Sequence, residues 1–240
     1  GGSRRFTGNL AGQEAVGEKL ACFLETEAAL AFNTCYMANV GVIPALVGDG
    51  DVLISDGLNH ASIIDGAKLA KTKVAVFKHG DVESFAETLE RVRPDARRVL
   101  VAVDGVYSMD GDVAPVAEIV KRAHDADAMV LLDDAHGTGC LGARGRGTAE
   151  AAGVLGEVDI VMGTLGKSIG SFGAFVAGSA KMRDLFVNTA RSFIFSCALA
   201  PAQVEATRVS LRLLDEEPCR HQRLGKNRNP SSAKLDREGS

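Results

Sequence analysis

The sequence predicts an α/β fold with a mostly parallel central sheet and helices on both faces. Three observations predict it. Short apolar, β-rich runs alternate with amphipathic stretches along the chain, the pattern of strand–helix–strand crossovers. Runs such as Val99-Leu100-Val101-Ala102-Val103 are apolar throughout, as in strands covered on both faces. Polar residues gather where such runs end: Asp104 after 99–103, Asp133 after 128–132, and Thr164 and Lys167 after 158–162. Parallel sheets bind ligands at those carboxyl ends.

The elements follow in order. The expected strands are 28–33, 51–55, 73–78, 98–103, 128–133, 158–163 and 173–178. Amphipathic stretches at 61–71, 81–92, 114–126 and 180–190 lie between them, with a further helix-like stretch at 37–47. At the start of the third of these, Val113, Val116, Ile119 and Val120 are spaced to share one helical face. From about residue 217 the chain turns basic and polar, and 230–240 is rich in Pro, Gly and Ser-type polar residues. That tail reads as disordered or truncated. The organisation expected is a large domain over 1–217, N-terminally incomplete, and the start of a further domain or a tail over 218–240.

Composition bounds the function. The 240 residues are 46% hydrophobic with 27 glycines, which suits a globular α/β chain. A net charge of −4 gives no basic field for nucleic acid or an anionic membrane. Charges interrupt every apolar run, so no bilayer span is expected, and the N-terminus lacks the apolar core of a signal peptide. Five widely spaced cysteines without a C-x-x-C argue against zinc or a disulfide scaffold and for a reducing cytoplasm. The chain lacks an initiator methionine and reads as a fragment.

Two familiar patterns are set aside. Gly137-Thr138-Gly139-Cys140-Leu141-Gly142 spells a dinucleotide fingerprint, but more loop follows it where a helix should open. Gly166-Lys167-Ser168 resembles the end of a phosphate-binding loop, yet its first glycine position is Val161.

The chemistry lies in a wider constellation. Lys167 sits in Gly-Thr-Leu-Gly-Lys-Ser-Ile-Gly (163–170), with glycines that let backbone approach a ligand. Asp133 and His136 share another strand exit. A lysine amine can condense with the aldehyde of pyridoxal 5′-phosphate (PLP), an acid can pair with the cofactor's ring nitrogen, and an imidazole can reach its phenolic oxygen. The plainer reading makes Asp133 or Asp134 a turn cap and His136 a loop residue. His60 stands near a helix start, where it can stack on a flat ring or follow Asn59 as the cap. The helix start after Asn33-Thr34-Cys35-Tyr36 offers free amides for a phosphate, with Tyr36 alternatively a core residue. His79, His124 and His221 are expected at the surface.

Together these segments resemble the α-oxoamine synthases, PLP enzymes of fold type I. The resemblance covers about 1–217 and rests on Phe32-Asn33-Thr34-Cys35-Tyr36-Met37-Ala38-Asn39, Leu58-Asn59-His60-Ala61-Ser62, Tyr107-Ser108-Met109-Asp110-Gly111-Asp112 and Asp133-Asp134-Ala135-His136-Gly137-Thr138-Gly139. The segments are most similar to the subgroup that forms 8-amino-7-oxononanoate in biotin synthesis; 2-amino-3-ketobutyrate CoA ligase is the runner-up.

The resemblance implies roles. Lys167 would hold PLP covalently and then move the substrate's α-proton. Asp133 would pair with the ring nitrogen, His136 would bond the phenolic oxygen with Ser108 nearby, and His60 would stack on the ring. Thr164 and the amides of Cys35 and Tyr36 would bind the phosphate. Ser196 would serve it across a homodimer with shared sites. The implied substrates are L-alanine and a pimeloyl thioester, with loss of coenzyme A and CO2.

The sequence also departs from the family. Asp104 stands where glutamate is common, Cys197 replaces a hydroxyl residue, Cys35 replaces a glycine, and Gln13 replaces a histidine. The chain is expected to start inside the family pattern and to stop before its substrate-carboxylate arginine. An inactive family fragment is therefore a second reading. No metal site is expected.

Overall fold

The computed structural model describes residues 2–217 together with 223 and 224. In chain order its elements are α1 (Ala11–Leu24), β1 (Ala28–Phe32), α2 (Cys35–Leu46), β2 (Val52–Asp56), α3 (Ala61–Ala70), β3 (Lys73–Phe77), α4 (Val82–Val92), β4 (Val99–Asp104), α5 (Val116–Asp125), β5 (Met129–Asp133), α6 (Thr148–Ala151), β6 (Ile160–Thr164), β7 (Ala174–Gly178), α7 (Ala180–Thr189), α8 (Arg191–Ile194) and α9 (Pro201–Glu216). Each expected strand is present within two residues of its predicted bounds.

Among the described residues these strands form one seven-stranded sheet in the order β1-β7-β6-β5-β4-β2-β3. Its β3-β2-β4-β5-β6 pairs are all parallel. Only β7 runs the other way, antiparallel to both β6 and β1. β6 and β7 follow one another closely, so no crossover helix separates them. The chain steps outward from β2 to β3, then inward through β4 to β5 and β6. Strand order therefore reverses between β2 and β4, the place where open sheets leave a crevice.

Alternation along each central strand sends side chains to two cores. Val101, Val103, Val130 and Leu132 pack with Val16, Leu20, Phe85 and Ile119 on one face. Leu100, Ala102, Leu131 and Ile160 pack with Val42, Ile43, Ile63 and Phe186 on the other. Helices thus cover both faces, as expected, and β4 is buried at every position. Edge strand β3 differs: Val74 and Val76 are exposed. Val113 is also exposed, because Pro115 starts α5 only at Val116 and leaves residue 113 outside the helical stripe.

Helices α1 and α9 were not legible in the apolar pattern. They pack against one another and close one face. α1 begins without a side-chain cap at Leu10, and two glycines interrupt it. Pro201 at the first position of α9 is a start signal that could have found it. No described helix is long and apolar enough to cross a membrane. The expected character of the tail falls at 218–222 and 225–240, outside the described residues, as do Cys219 and His221.

The loop after β5 is folded around Asp134, which is fully buried. Its carboxylate accepts from Thr138 Oγ1 at 3.1 Å, from Thr148 N at 3.1 Å, and from Thr148 Oγ1. Burial pushes this carboxyl up to about 6, against those hydrogen bonds. The glycine-rich segment 137–147 turns back on itself here and does not open a helix directly, in keeping with setting aside the dinucleotide reading. Gly147 has φ 99°, and a Cβ there would overlap Asp134 Oδ2. Gly147→Ala should therefore lower the urea unfolding free energy by about 2–4 kcal/mol through strain and overpacking. A midpoint equal to that of the parent chain would show that the loop can yield.

Candidate active site

The site is assembled at the carboxyl ends of β1, β2, β4, β5 and β6. A cavity of about 340 Å³ there is lined by Cys35, Tyr36, His60, Ser108, Asp133, His136 and Lys167, seven of the nine residues selected from sequence. Thr34, Asp104, Val106 and Ala135 complete its wall. Lys167 Nζ lies 2.6 Å from His136 Nε2. Burial, then the nearby Lys167 charge, holds the His136 imidazole below its ordinary value, so it is neutral at pH 7.

Asp133 is buried at the end of β5. Its Oδ2 accepts from Asn39 Nδ2 at 2.8 Å and its Oδ1 from Ala135 N at 3.2 Å. Burial nonetheless raises its pKa, and those two donors oppose the shift. The carboxylate is thus held in place by two neutral donors, with Lys167 lining the same cavity. Asp133 and Asp134 divide the two readings of their motif. Asp133 faces the cavity, and Asp134 holds the loop.

Asp104 is the registered neighbour of Asp133 on β4. Its Oδ2 accepts from His60 N at 3.2 Å, and its own N donates to Asn59 Oδ1 at 3.0 Å. Burial first, then the Asp133 charge, pushes Asp104 up to about 8. Asn59 is therefore not the cap of α3. It ties Ser55 Oγ (2.9 Å) and Ala102 O (2.6 Å) across β2 and β4. His60 is the cap: its Nδ1 accepts from Ser62 N at 3.3 Å and meets Ser62 Oγ at 2.7 Å. These contacts fix the imidazole at the β2–β4 switch point with its ring exposed to the cavity.

At the start of α2, Thr34 Oγ1 accepts from Met37 N at 3.1 Å, and Thr34 O accepts from Ala38 N at 3.0 Å. That leaves the amides of Cys35 and Tyr36 in the first turn pointing toward the cavity end of the helix. Burial raises the Cys35 thiol, which is held neutral. Tyr36 is not a core residue: it is 47% exposed, and its hydroxyl donates to Asp65 Oδ2 at 2.8 Å.

Two selected residues are not in the cavity lining, though Thr164 meets the Cys35 side chain that is. Thr164 is buried beneath the loop after β6, where Oγ1 donates to Gly173 O at 3.3 Å and accepts from Gly166 N at 3.2 Å. Ser196 lines a separate crevice with Asn33 and Phe193, and its hydroxyl donates to Ser192 O at 2.6 Å.

Sequence reasoning missed Asn39, because its target Asp133 is remote along the chain. His79 is partly exposed, and sequence reasoning missed that it bridges two acids. His79 lies between Asp56 (2.9 Å) and Asp112 (2.8 Å), and neither partner is near it in sequence. His124 is partly exposed and pairs with Asp159 at 3.0 Å.

Known proteins resemble this chain along most of its length. An 8-amino-7-oxononanoate synthase from Pelobacter propionicus is 50% identical over 214 residues, which is 89% of this chain and 54% of that protein. The chain thus spans about half the length of the curated relatives it matches. A serine palmitoyltransferase variant from S. paucimobilis, solved with PLP-myriocin bound, superposes with a TM-score of 0.90 at 38% identity, covering 94% of this chain and 56% of the other. The 8-amino-7-oxononanoate synthase from Francisella tularensis gives a TM-score of 0.77 at 26% identity, covering 91% and 63%. These likenesses bear out the fold type I architecture expected from the sequence. With the description "Aminotransferase class I and II" matching residues 1–239, the chain belongs to that family.

Proposed function

We propose that the protein of which this chain is a part is a PLP-dependent α-oxoamine synthase. It joins L-alanine to a pimeloyl thioester, forming 8-amino-7-oxononanoate and releasing coenzyme A and CO2. The observation that carries the reading is the convergence of Lys167, His136, Asp133 and His60 on one cavity from three strand exits and the loops after them. The relatives named as 8-amino-7-oxononanoate synthases, at 44–50% identity, support the substrate choice. We take 1–217 as the PLP-binding large domain.

The residues present fit the cofactor. Lys167 Nζ would carry it covalently. Asp133 is buried and already oriented by the neutral donors Asn39 and Ala135, which suits a protonated ring nitrogen. His136 would bond the phenolic oxygen, with Ser108 on the same wall, and His60 would cover the ring face. The first-turn amides of Cys35 and Tyr36 would take the phosphate, with Thr164 behind them. Ser196 faces another crevice and suits service to a partner's site in a homodimer. When bound, PLP withdraws electrons from the carbon beside the substrate amine.

The chain's own groups then do the positioning and proton handling. Lys167 Nζ and His136 Nε2, at 2.6 Å, can pass one proton between them, and the neutral imidazole can accept it. Asp104 stays protonated at pH 7, so it adds no negative charge to the cavity floor.

Two outcomes are expected. Supplied with pimeloyl-CoA and PLP, the whole protein should convert L-alanine to 8-amino-7-oxononanoate by mass spectrometry, and Lys167→Ala should lose both product and the visible absorbance of retained PLP. Preference for glycine with a short acyl-CoA would move the assignment to the ligase subgroup, and retained absorbance in Lys167→Ala would remove the lysine's role.

The second outcome concerns Asp104. Its folded-state value lies above the unfolded one of about 4. Between about pH 4 and about 8 the folded chain keeps a proton that the unfolded chain releases, so Asp104 costs stability progressively across that window. Asp104→Asn should flatten this slope in urea titrations from pH 5 to 8. Parallel curves for the two chains would show that Asp104 titrates normally.

A further inference from the structure

His79 lies outside the cavity, yet it joins the two segments that carry His60 and Ser108. Its Nδ1 meets Asp56 Oδ1 at 2.9 Å and its Nε2 meets Asp112 Oδ2 at 2.8 Å. Asp56 ends β2 with its side chain 1% exposed. It also organises the turn that leads to His60, accepting from Leu58 N at 2.8 Å and from Gly80 N at 3.0 Å. Gly57 N is bonded to Phe77 O at 3.1 Å, so this turn is fastened to the exit of β3 as well.

Asp112 belongs to the excursion between β4 and α5. Val106 and Val113 pair across it, Gly111 N bonds Tyr107 O at 2.8 Å, and Ser108 sits at its cavity side. Tyr107 of the same excursion is buried, and the His79 ring meets its ring edge-on at 4.4 Å between centroids. The excursion therefore holds itself in shape locally. His79 ties it to the β2 exit by bonding Asp112 and Asp56 together, and the Tyr107 phenol also faces Asp56.

We infer that His79 is a positioning residue: as an imidazolium it is a strut that fastens the Ser108 excursion to the His60 turn and so sets the spacing of two walls of the cavity. Only the doubly protonated ring donates to both carboxylates at once; a neutral ring has one N–H and turns a lone pair toward the other acid. The groups facing His79 are Asp56 from the β2 exit and Asp112 and Tyr107 from the excursion. Burial works against the charge, but the hydrogen bonds and charges of Asp56 and Asp112 outweigh it and raise the imidazole above its ordinary value. Burial, then the Asp56 charge, holds the Tyr107 phenol far above its usual range, and it stays neutral throughout.

The inference rests on the PLP reading for its consequence but not for the strut itself. The variant to use is Asp112→Ala, because Asp112 is 44% exposed and its loss leaves the core intact. Hydrogen exchange of amides 105–113, measured on the chain without cofactor, should quicken roughly tenfold while the central strands stay protected. PLP affinity should weaken by roughly three- to tenfold at pH 6. The gap should close as pH rises through the raised His79 value, since the parent's strut is complete below about 6.5 and is lost only as pH passes that raised value. Unchanged exchange at 105–113 overturns the strut. Faster exchange with unchanged PLP affinity, or an affinity gap that ignores pH, overturns the positioning role. If neither chain binds PLP, the cofactor reading fails, and exchange alone decides the strut.

Discussion

Two acids that end neighbouring strands impose the constraint around which this site is built. Asp104 and Asp133 are paired in register on β4 and β5, and both are buried. Two full charges there would face each other with little water between them, and desolvation of each is costly. The structure resolves the conflict by treating them differently. Asp133 receives donors on both oxygens, from Asn39 and Ala135, and faces Lys167 and His60. Asp104 receives one backbone amide and keeps its proton to about 8. Burial raises both carboxyls, and perturbed acids side by side at a cavity are a usual mark of a functional site.

The surrounding elements serve that arrangement. Asn59 bridges β2 and β4, so the strand reversal that opens the crevice is also cross-tied. Asn39 carries a single amide nitrogen to both Ser62 and Asp133, linking α2, α3 and the β5 exit. Asp134, directly beside Asp133, spends its carboxylate on the loop and leaves the cavity to its neighbour. The two-core construction makes these polar bridges possible. Apolar side chains fill both faces of the sheet, so polar atoms meet only where the strands stop.

Much of the fold was legible because strands read locally. Alternating or continuous apolar runs mark β1 to β7 whatever their neighbours are. Helix α5 was legible for the same reason, through Val116, Ile119 and Val120. The helices that escaped, α1 and α9, start without a side-chain cap and pack against each other. The reversed direction of β7 was not legible either, since direction depends on the connection and not on the strand's residues. In the site, Lys167, Asp133, His136 and His60 stood out because each sits beside glycine, a strand exit or a helix start. Asn39 lies inside α2 without such a mark, and although His79 follows β3 and precedes Gly80, the roles of both come only from partners distant in the chain.

By itself, then, the sequence determined the α/β class, the strand inventory and the exits at which the candidate groups stand, because period and composition are properties of short segments. Tertiary structure alone decided which exits meet, that Asp104 adjoins Asp133, that His60 caps its helix in place of Asn59, and that His79 lies between two acids. Those outcomes depend on strand order and register. These bring distant residues within hydrogen-bonding reach and remove them from water, and no local pattern encodes either effect.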